Sequence, residues 1–254
     1  MGKIVAIANQ KGGVGKTTTA INLASSLAVM EKRILIIDID PQANATSGLG
    51  FDPANLESTI YDVLLEKIPY KNAVQKTFLE YLDVLPANQE LVGAEIEMVN
   101  MMSRETRLSK VLKNVRNEYE YIFIDCPPSL NLLTVNSFTA GDSVLIPIQC
   151  EYFALEGLTQ LLYTIRLIQR NLNAKLDLEG IVLTMYDSRL NLSKMVAEEV
   201  RKYFGDKVYQ TVISRNVRLG EAPSYGQPII SFDIHSSGAI NYMKLAEEFI
   251  HGKK

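Results

Sequence analysis

The sequence predicts a doubly wound α/β fold, a single, mostly parallel β-sheet with helices on both faces. Three observations predict it. Short apolar, β-branched runs alternate with helical patterns along the 254 residues. The runs are continuous, as in strands covered on both faces, and do not alternate with polar positions. Strand–helix alternation of this kind makes βαβ units with right-handed crossovers.

The elements follow in order. Residues 4–8 read as the first strand. After Thr17, the residues Ala20, Leu23, Ala24, Leu27 and Ala28 lie on one face of a helix. Residues 33–38, 121–125, 143–147 and 180–184 are further strands, with 82–85 and 208–209 as weaker ones. Helical spacing returns over 155–168, 195–203 and 242–249. In such sheets ligands sit beyond the carboxyl ends of the strands. The conspicuous polar residues fall there.

Composition narrows the class. An apolar fraction of 47% can bury a full core, which excludes a disordered chain. Cys126 and Cys150 are too few for a disulfide framework, and His235 and His251 too few for a histidine-rich metal site. The longest unbroken apolar run, residues 4–8, is far short of a membrane span. The first residues run straight into a strand with no signal-peptide pattern. These features predict a cytoplasmic protein with reduced thiols. No linker, repeat or low-complexity tract divides the chain, so residues 1–254 are expected to form a single domain. A net charge of -3 excludes a uniformly basic coat but not a local basic patch.

The strongest motif is Asn9-Gln10-Lys11-Gly12-Gly13-Val14-Gly15-Lys16-Thr17-Thr18. It follows a strand and opens a helix, the setting of a phosphate-binding loop. Glycines let successive N–H groups converge on one anion, and the helix N-terminus adds partial positive charge. Lys16 is placed for the β- and γ-phosphates and the Thr17 hydroxyl for Mg²⁺. The usual glycine five positions before Gly15 is replaced by Gln10, and Lys11 adds a second cation. Lys11 has two readings. It reaches the γ-phosphate of a neighbouring subunit, as an arginine finger does, or it is a solvated surface lysine.

Asp38 and Asp40 follow the second strand, with Pro41 ending it. Two residues apart on an extended chain, their side chains are expected to share a face, with Mg²⁺ or Lys16 relieving their repulsion. Asp40 is suited to orient the attacking water. Asp125 ends an apolar strand, the Walker B arrangement, where the carboxylate holds a Mg²⁺-bound water. Cys126 and Cys150 read as small buried hydrophobes.

The basic residues Arg189, Lys194, Arg201, Lys202, Lys207, Arg215 and Arg218 lie in the last third. Arg201 and Lys202 sit beside Glu198 and Glu199, as on a solvated helix face. Arg189 and Arg218 are expected in loops or turns with no acidic neighbour. That setting suits sequence-independent phosphate contacts to DNA. No helix-turn-helix extension precedes the phosphate loop, so operator reading is not expected. The last helix, residues 240–250, carries Glu247 and Glu248 and ordinary core spacing, unlike a cationic membrane anchor.

The Lys-Gly-Gly-x-Gly-Lys-Thr loop resembles that of the deviant Walker A ATPases, which include ParA, MinD and the nitrogenase iron protein. The chain is similar over nearly its whole length to the chromosomal ParA/Soj partition ATPases. The matching stretches are the loop itself, Asp38-Ile39-Asp40-Pro41-Gln42, Ile124-Asp125-Cys126-Pro127-Pro128-Ser129, Gln149-Cys150-Glu151-Tyr152 and Arg218-Leu219-Gly220-Glu221-Ala222-Pro223-Ser224. The resemblance implies ATP and Mg²⁺ as cofactors and Lys11, Lys16 and Asp40 as catalytic residues. It implies that Asp38 lies nearer the metal, with Thr17 and Asp125. Residues 212–217 match an adenine-contacting loop, which assigns Arg215, Asn216 and Val217 to the base. It implies a homodimer when ATP is bound and non-specific double-stranded DNA binding through Arg189 and Arg218. A ParB-type partner would stimulate slow hydrolysis on the nucleoid. A membrane-cycling, MinD-like regulator is the alternative. For Cys126 and Cys150, the resemblance to the nitrogenase iron protein implies a bridging iron–sulfur cluster as the alternative. The chain departs from the family pattern at Ala43 (usually Gly), Ser214 (often Pro) and Gly220 (often Ser), and these departures bear on loop geometry.

Overall fold

The computed structural model describes residues 1–151 and 154–252. Tyr152, Lys253 and Lys254 lie outside the described residues. Eight strands form one sheet: β1 (Lys3–Ile7), β2 (Ile34–Asp38), β3 (Gln75–Lys76), β4 (Leu82–Leu85), β5 (Tyr121–Asp125), β6 (Ser143–Gln149), β7 (Asp177–Tyr186) and β8 (Val208–Ser214). Their order across the sheet is β3-β4-β2-β5-β1-β6-β7-β8. Every pairing is parallel except the short β3–β4 ladder.

The continuous apolar runs have a simple cause. Ile4 and Ala6 of β1, Leu35 and Ile37 of β2, and Ile122 and Ile124 of β5 pack into one core. Val5, Ile7, Ile34, Ile36 and Phe123 pack into the other. Alternate side chains point to opposite faces, and both faces are covered, so the central positions of these strands are apolar. Helices Lys16–Val29 and Ser237–His251 pack together on one face. Arg107–Val115, Leu132–Ala140, Ala154–Asn171 and Asn191–Phe204 contribute to the other core. The helix Ser237–His251 buries Tyr242, Leu245, Ala246 and Phe249, so its apolar face is core. Among the described residues no helix is long and apolar enough to cross a membrane.

Two features end the sheet. On one side β3 has only two residues, Gln75 and Lys76. On the other, the Glu248 carboxylate accepts from the Gln210 and Thr211 amides of β8 at 2.7 and 2.9 Å. Between the edges, β1 lies beside β5 and β6, where chain order reverses. A crevice opens beyond the carboxyl ends of the strands at such a reversal.

Candidate nucleotide site

The phosphate loop leaves β1 and runs into the helix Lys16–Val29. Gly13 and Gly15 adopt left-handed φ of 72° and 87°, conformations that a side chain would strain. At Gly15 the Thr184 side chain lies within 3.7 Å of where a Cβ would stand, and the Thr184 hydroxyl donates to the Val14 carbonyl at 2.8 Å. The end of β7 therefore braces the back of the loop. Asn9 braces its start, donating to the Pro147 carbonyl and accepting from the Lys11 amide. Gly12, Gly13, Gly15, Lys16, Thr17 and Thr18 all border one cavity of about 680 Å³, and Asp40 stands in its wall. Val14 is buried beneath the loop, so it contributes backbone only.

Lys16 is buried, and its ammonium donates to the Lys11 carbonyl at 3.1 Å. Burial lowers its pKa, and the charges of Asp125 and Asp40 oppose that shift. The loop thus holds a cation near two carboxylates, Asp40 in the cavity wall and the buried Asp125.

The two aspartates after β2 do not share a role or a direction. Asp38 is the last residue of β2 and is fully buried. One of its oxygens accepts from the Thr46 amide and the Thr46 hydroxyl, both at 2.8 Å, and the other from the Asp40 amide at 3.2 Å. Asp40 lies past the strand end, lines the cavity, and accepts from the Gln42 amide at 3.0 Å. The expectation of a common face assumed that the strand continued through Asp40. It stops at Asp38, and the chain turns. Burial raises the Asp38 pKa to about 6, despite the Thr46 and Asp40 donors.

Asp125 is the contrasting carboxylate. It ends β5, in register with Asp38 of β2 and with Ile7 of β1. Neither oxygen has a hydrogen-bond partner of good geometry among the described residues. Burial and the neighbouring Asp38 push its pKa well above the usual carboxylate range; the Thr17 hydroxyl and Lys16 pull it back only in part. A buried carboxylate without donors, facing a threonine hydroxyl at a phosphate loop, fits a hydrated divalent cation.

A second cavity of about 330 Å³ adjoins the first through Gly15, Thr18 and Met185. Arg215, Asn216 and Val217 line it, the residues assigned to the base. Asn216 caps the helix Val217–Glu221 and donates to the Ser237 hydroxyl at 2.7 Å, so its polar atoms fix the loop. The Ser214 amide donates to Asn241 at 3.0 Å, a bond that proline could not make. A Cβ at Gly220 would meet nothing within 4 Å.

Lys11 is neither free nor merely solvated. Its ammonium pairs with Glu151 of the same chain at 3.0 Å, and Gln149 donates to the same carboxylate. The arginines also differ from expectation. Arg189 lies in the loop after β7 and makes a two-pronged contact with Asp187 at 2.9 and 2.8 Å. Arg218 sits in the short helix Val217–Glu221, pairs with Glu221 at 2.9 Å and Asp233 at 3.3 Å, and lies over the Phe232 ring. Both have acidic neighbours, contrary to the sequence reading. Both remain more than half exposed, at 85% and 54%. The charge of Arg215 also lowers the Asp187 pKa, after the larger effect of Arg189.

Cys126 and Cys150 are buried thiols, and burial pushes them up to about 12 and about 11. Such thiols pack as small hydrophobes and do not present a cluster at a subunit surface. Sequence reasoning gave no role to Thr46, Glu151, Thr184 or Asp187. Only Asp187, two residues before Arg189, was legible as a partner from spacing.

Comparison with known proteins agrees with this geometry. A family described as AAA domain matches residues 2–178. The sporulation initiation inhibitor protein Soj of Bacillus subtilis is 59% identical over 248 residues, 98% of each chain. The chromosome partitioning protein ParA of Myxococcus xanthus is 55% identical over 250 residues, 98% of this chain and 88% of that one. Among solved structures, cobyrinic acid a,c-diamide synthase of Mycobacterium smegmatis, with bound ATP analogue and magnesium, has a TM-score of 0.87 and 35% identity, covering 99% of this chain and 95% of that one. With its phosphate loop at the reversal point of the sheet and more than half its residues shared with Soj and ParA, the chain belongs to the Soj/ParA family of chromosome-partitioning ATPases.

Proposed function

We propose that this protein is a nucleotide-switched partition ATPase, acting as one domain over residues 1–254. The observation that carries the reading is the single cavity bordered by the phosphate loop, Lys16 and Asp40, with the buried Asp125, facing the Thr17 hydroxyl, behind it. The loop amides and Lys16 bind the β- and γ-phosphate oxygens of ATP. Thr17 and Asp125 would hold Mg²⁺, the first through its hydroxyl and the second through a bound water, with Asp38, already engaged by Thr46 and Asp40, behind them. Mg²⁺, when bound, supplies neutralisation of the phosphate charge. Asp40 orients the attacking water. Arg215, Asn216 and Val217 hold the base.

ATP favours a homodimer in which Lys11 of each subunit leaves Glu151 and reaches the other's γ-phosphate. The paired state presents Arg189 and Arg218 from both copies to non-specific double-stranded DNA, as sequence-independent phosphate contacts would require. A ParB-type partner accelerates slow hydrolysis, and the dimer parts from the nucleoid. The protein is then cytoplasmic and nucleoid-associated. The core position of the last helix's apolar face favours this reading over a membrane-cycling one.

The test uses Asp40→Ala with saturating ATP or ADP. Light scattering should give a dimer with ATP alone, and that dimer should co-sediment with DNA. A monomer with ATP, or equal DNA binding in ADP, overturns the reading. Lys16→Gln should abolish nucleotide binding in calorimetry.

A further inference from the structure

We propose that Thr46 is a positioning residue for hydrolysis, holding the turn that carries Asp40 through the carboxylate of Asp38. The proposal rests on the assignment of Asp40 to the attacking water.

The geometry is a clamp with one carboxylate at its centre. Asp38 is anchored at the end of β2, in the middle of the sheet. One of its oxygens takes the Asp40 amide, which fixes the turn just after the strand. The other takes both the amide and the hydroxyl of Thr46, which fixes the helix Asn44–Gly48 eight residues on. The turn from Asp38 to Thr46, with Asp40 and Gln42 on the cavity side, is therefore held at both ends by one side chain.

Thr46 adds a third tether. Its hydroxyl accepts from the Ala87 amide at 3.0 Å, on the segment that leaves β4. The hydroxyl thus donates once and accepts once, both to buried partners, and is itself 0% exposed. No water competes for these bonds, so the arrangement has little freedom to drift. The position of Asp40 is set by three elements, the ends of β2 and β4 and the helix Asn44–Gly48. Neither Asp38 nor Thr46 lines the cavity; both act through the turn.

This assigns a function to a threonine that packing alone would not distinguish from valine. A valine fits the same space but removes the donor to Asp38 and the acceptor for Ala87. A serine keeps both. Misplacing a water-orienting group by a fraction of an ångström costs turnover without weakening phosphate contacts made by the loop.

The experiment measures ATP affinity by calorimetry, single-turnover hydrolysis and thermal melting for wild type, Thr46→Val, Thr46→Ser, Asp40→Ala and the Thr46→Val/Asp40→Ala double variant. Thr46→Val should lower the hydrolysis rate about ten- to a hundredfold. Its ATP affinity should stay within about twofold, as for a group that acts only on the transition state. Thr46→Ser should restore the rate. The double variant should be no slower than Asp40→Ala, because Thr46 acts through Asp40. Thr46→Ala, which leaves room for solvent, is measured in parallel and carries the same expectations should Thr46→Val not fold. A wild-type rate in the folded variant overturns the proposal, as does a parallel loss of affinity and rate that Thr46→Ser fails to rescue. A wild-type rate in Asp40→Ala overturns the Asp40 assignment instead, and the proposal with it.

Discussion

Asp38 and Asp125 end neighbouring parallel strands in register, and both are fully buried, yet three donors converge on Asp38, while among the described residues no well-aligned donor reaches Asp125, which faces the Thr17 hydroxyl. Asp38 is engaged within the fold, and the proposed role of Asp125 is to hold a metal-bound water. Asp125→Asn should separate these roles. Both carboxyls have raised pKa values in the folded chain, so the native state holds protons that the unfolded chain releases. Stability of the nucleotide-free protein should therefore fall as pH rises from the ordinary aspartate value through about 6. At pH 7 Asp125→Asn should stabilise the nucleotide-free form by on the order of 1–3 kcal/mol, while Mg²⁺-dependent ATP binding is lost. Urea unfolding with and without Mg²⁺-ATP checks both. A destabilised variant that keeps Mg²⁺-dependent binding would contradict the assignment.

Lys11 must leave Glu151 before it can reach another subunit. Glu151→Gln keeps the size of the side chain and removes the charge. An exposed ion pair of this kind is worth about 0.2–1 kcal/mol. Two such pairs break in each dimer, so the concentration at which ATP-bound Asp40→Ala protein dimerises should fall by about two- to thirtyfold in the Glu151→Gln background. Light scattering across a dilution series gives the midpoint. An unchanged or higher midpoint would show that this contact does not restrain Lys11.

Arg189 is pinned by Asp187, whose carboxyl that arginine drives down to about 2, so the pair persists at every working pH and is lost only as pH falls through that value. Asp187→Asn should release the guanidinium and strengthen DNA retention. The slope of log affinity against log salt should steepen by roughly one for each freed charge. Arg218→Glu should do the reverse while leaving ATP-driven dimerisation intact. Retention that ignores both changes would place the DNA surface elsewhere.

Ala43 has a left-handed φ of 54° at the start of the helix Asn44–Gly48, where the family usually has glycine. An L side chain is strained there. Ala43→Gly should raise stability by about 0.5–1 kcal/mol at unchanged ATP affinity. Thermal melting checks the direction, and a lower melting temperature would show that the methyl's packing outweighs the strain.

Much of the fold was legible because burial on both faces leaves a long-range pattern in short windows. The runs at 4–8 and 121–125 predicted β1 and β5 to within a residue. β3 was missed because its two residues, Gln75 and Lys76, carry no apolar pattern. β8 was seen only at its first two residues, since Gln210 and Thr211 break the apolar run where Glu248 takes their amides. At the site, Lys16, Thr17 and Asp125 were legible because a phosphate loop and a strand-end carboxylate are local motifs. The Lys11–Glu151 pair was not, since 140 positions separate its members and the sheet alone brings them together. The parting of Asp38 and Asp40 was hidden too, because one turn beyond the strand decides it.

The outer margins of the sheet carry a consequence for assembly. One is a two-residue stub bearing a lysine, and the other has the Gln210 and Thr211 amides taken by Glu248. Neither offers a further chain a ready ladder of donors and acceptors. Sheet-to-sheet extension between copies is therefore disfavoured at both margins, which leaves association to loops and side chains.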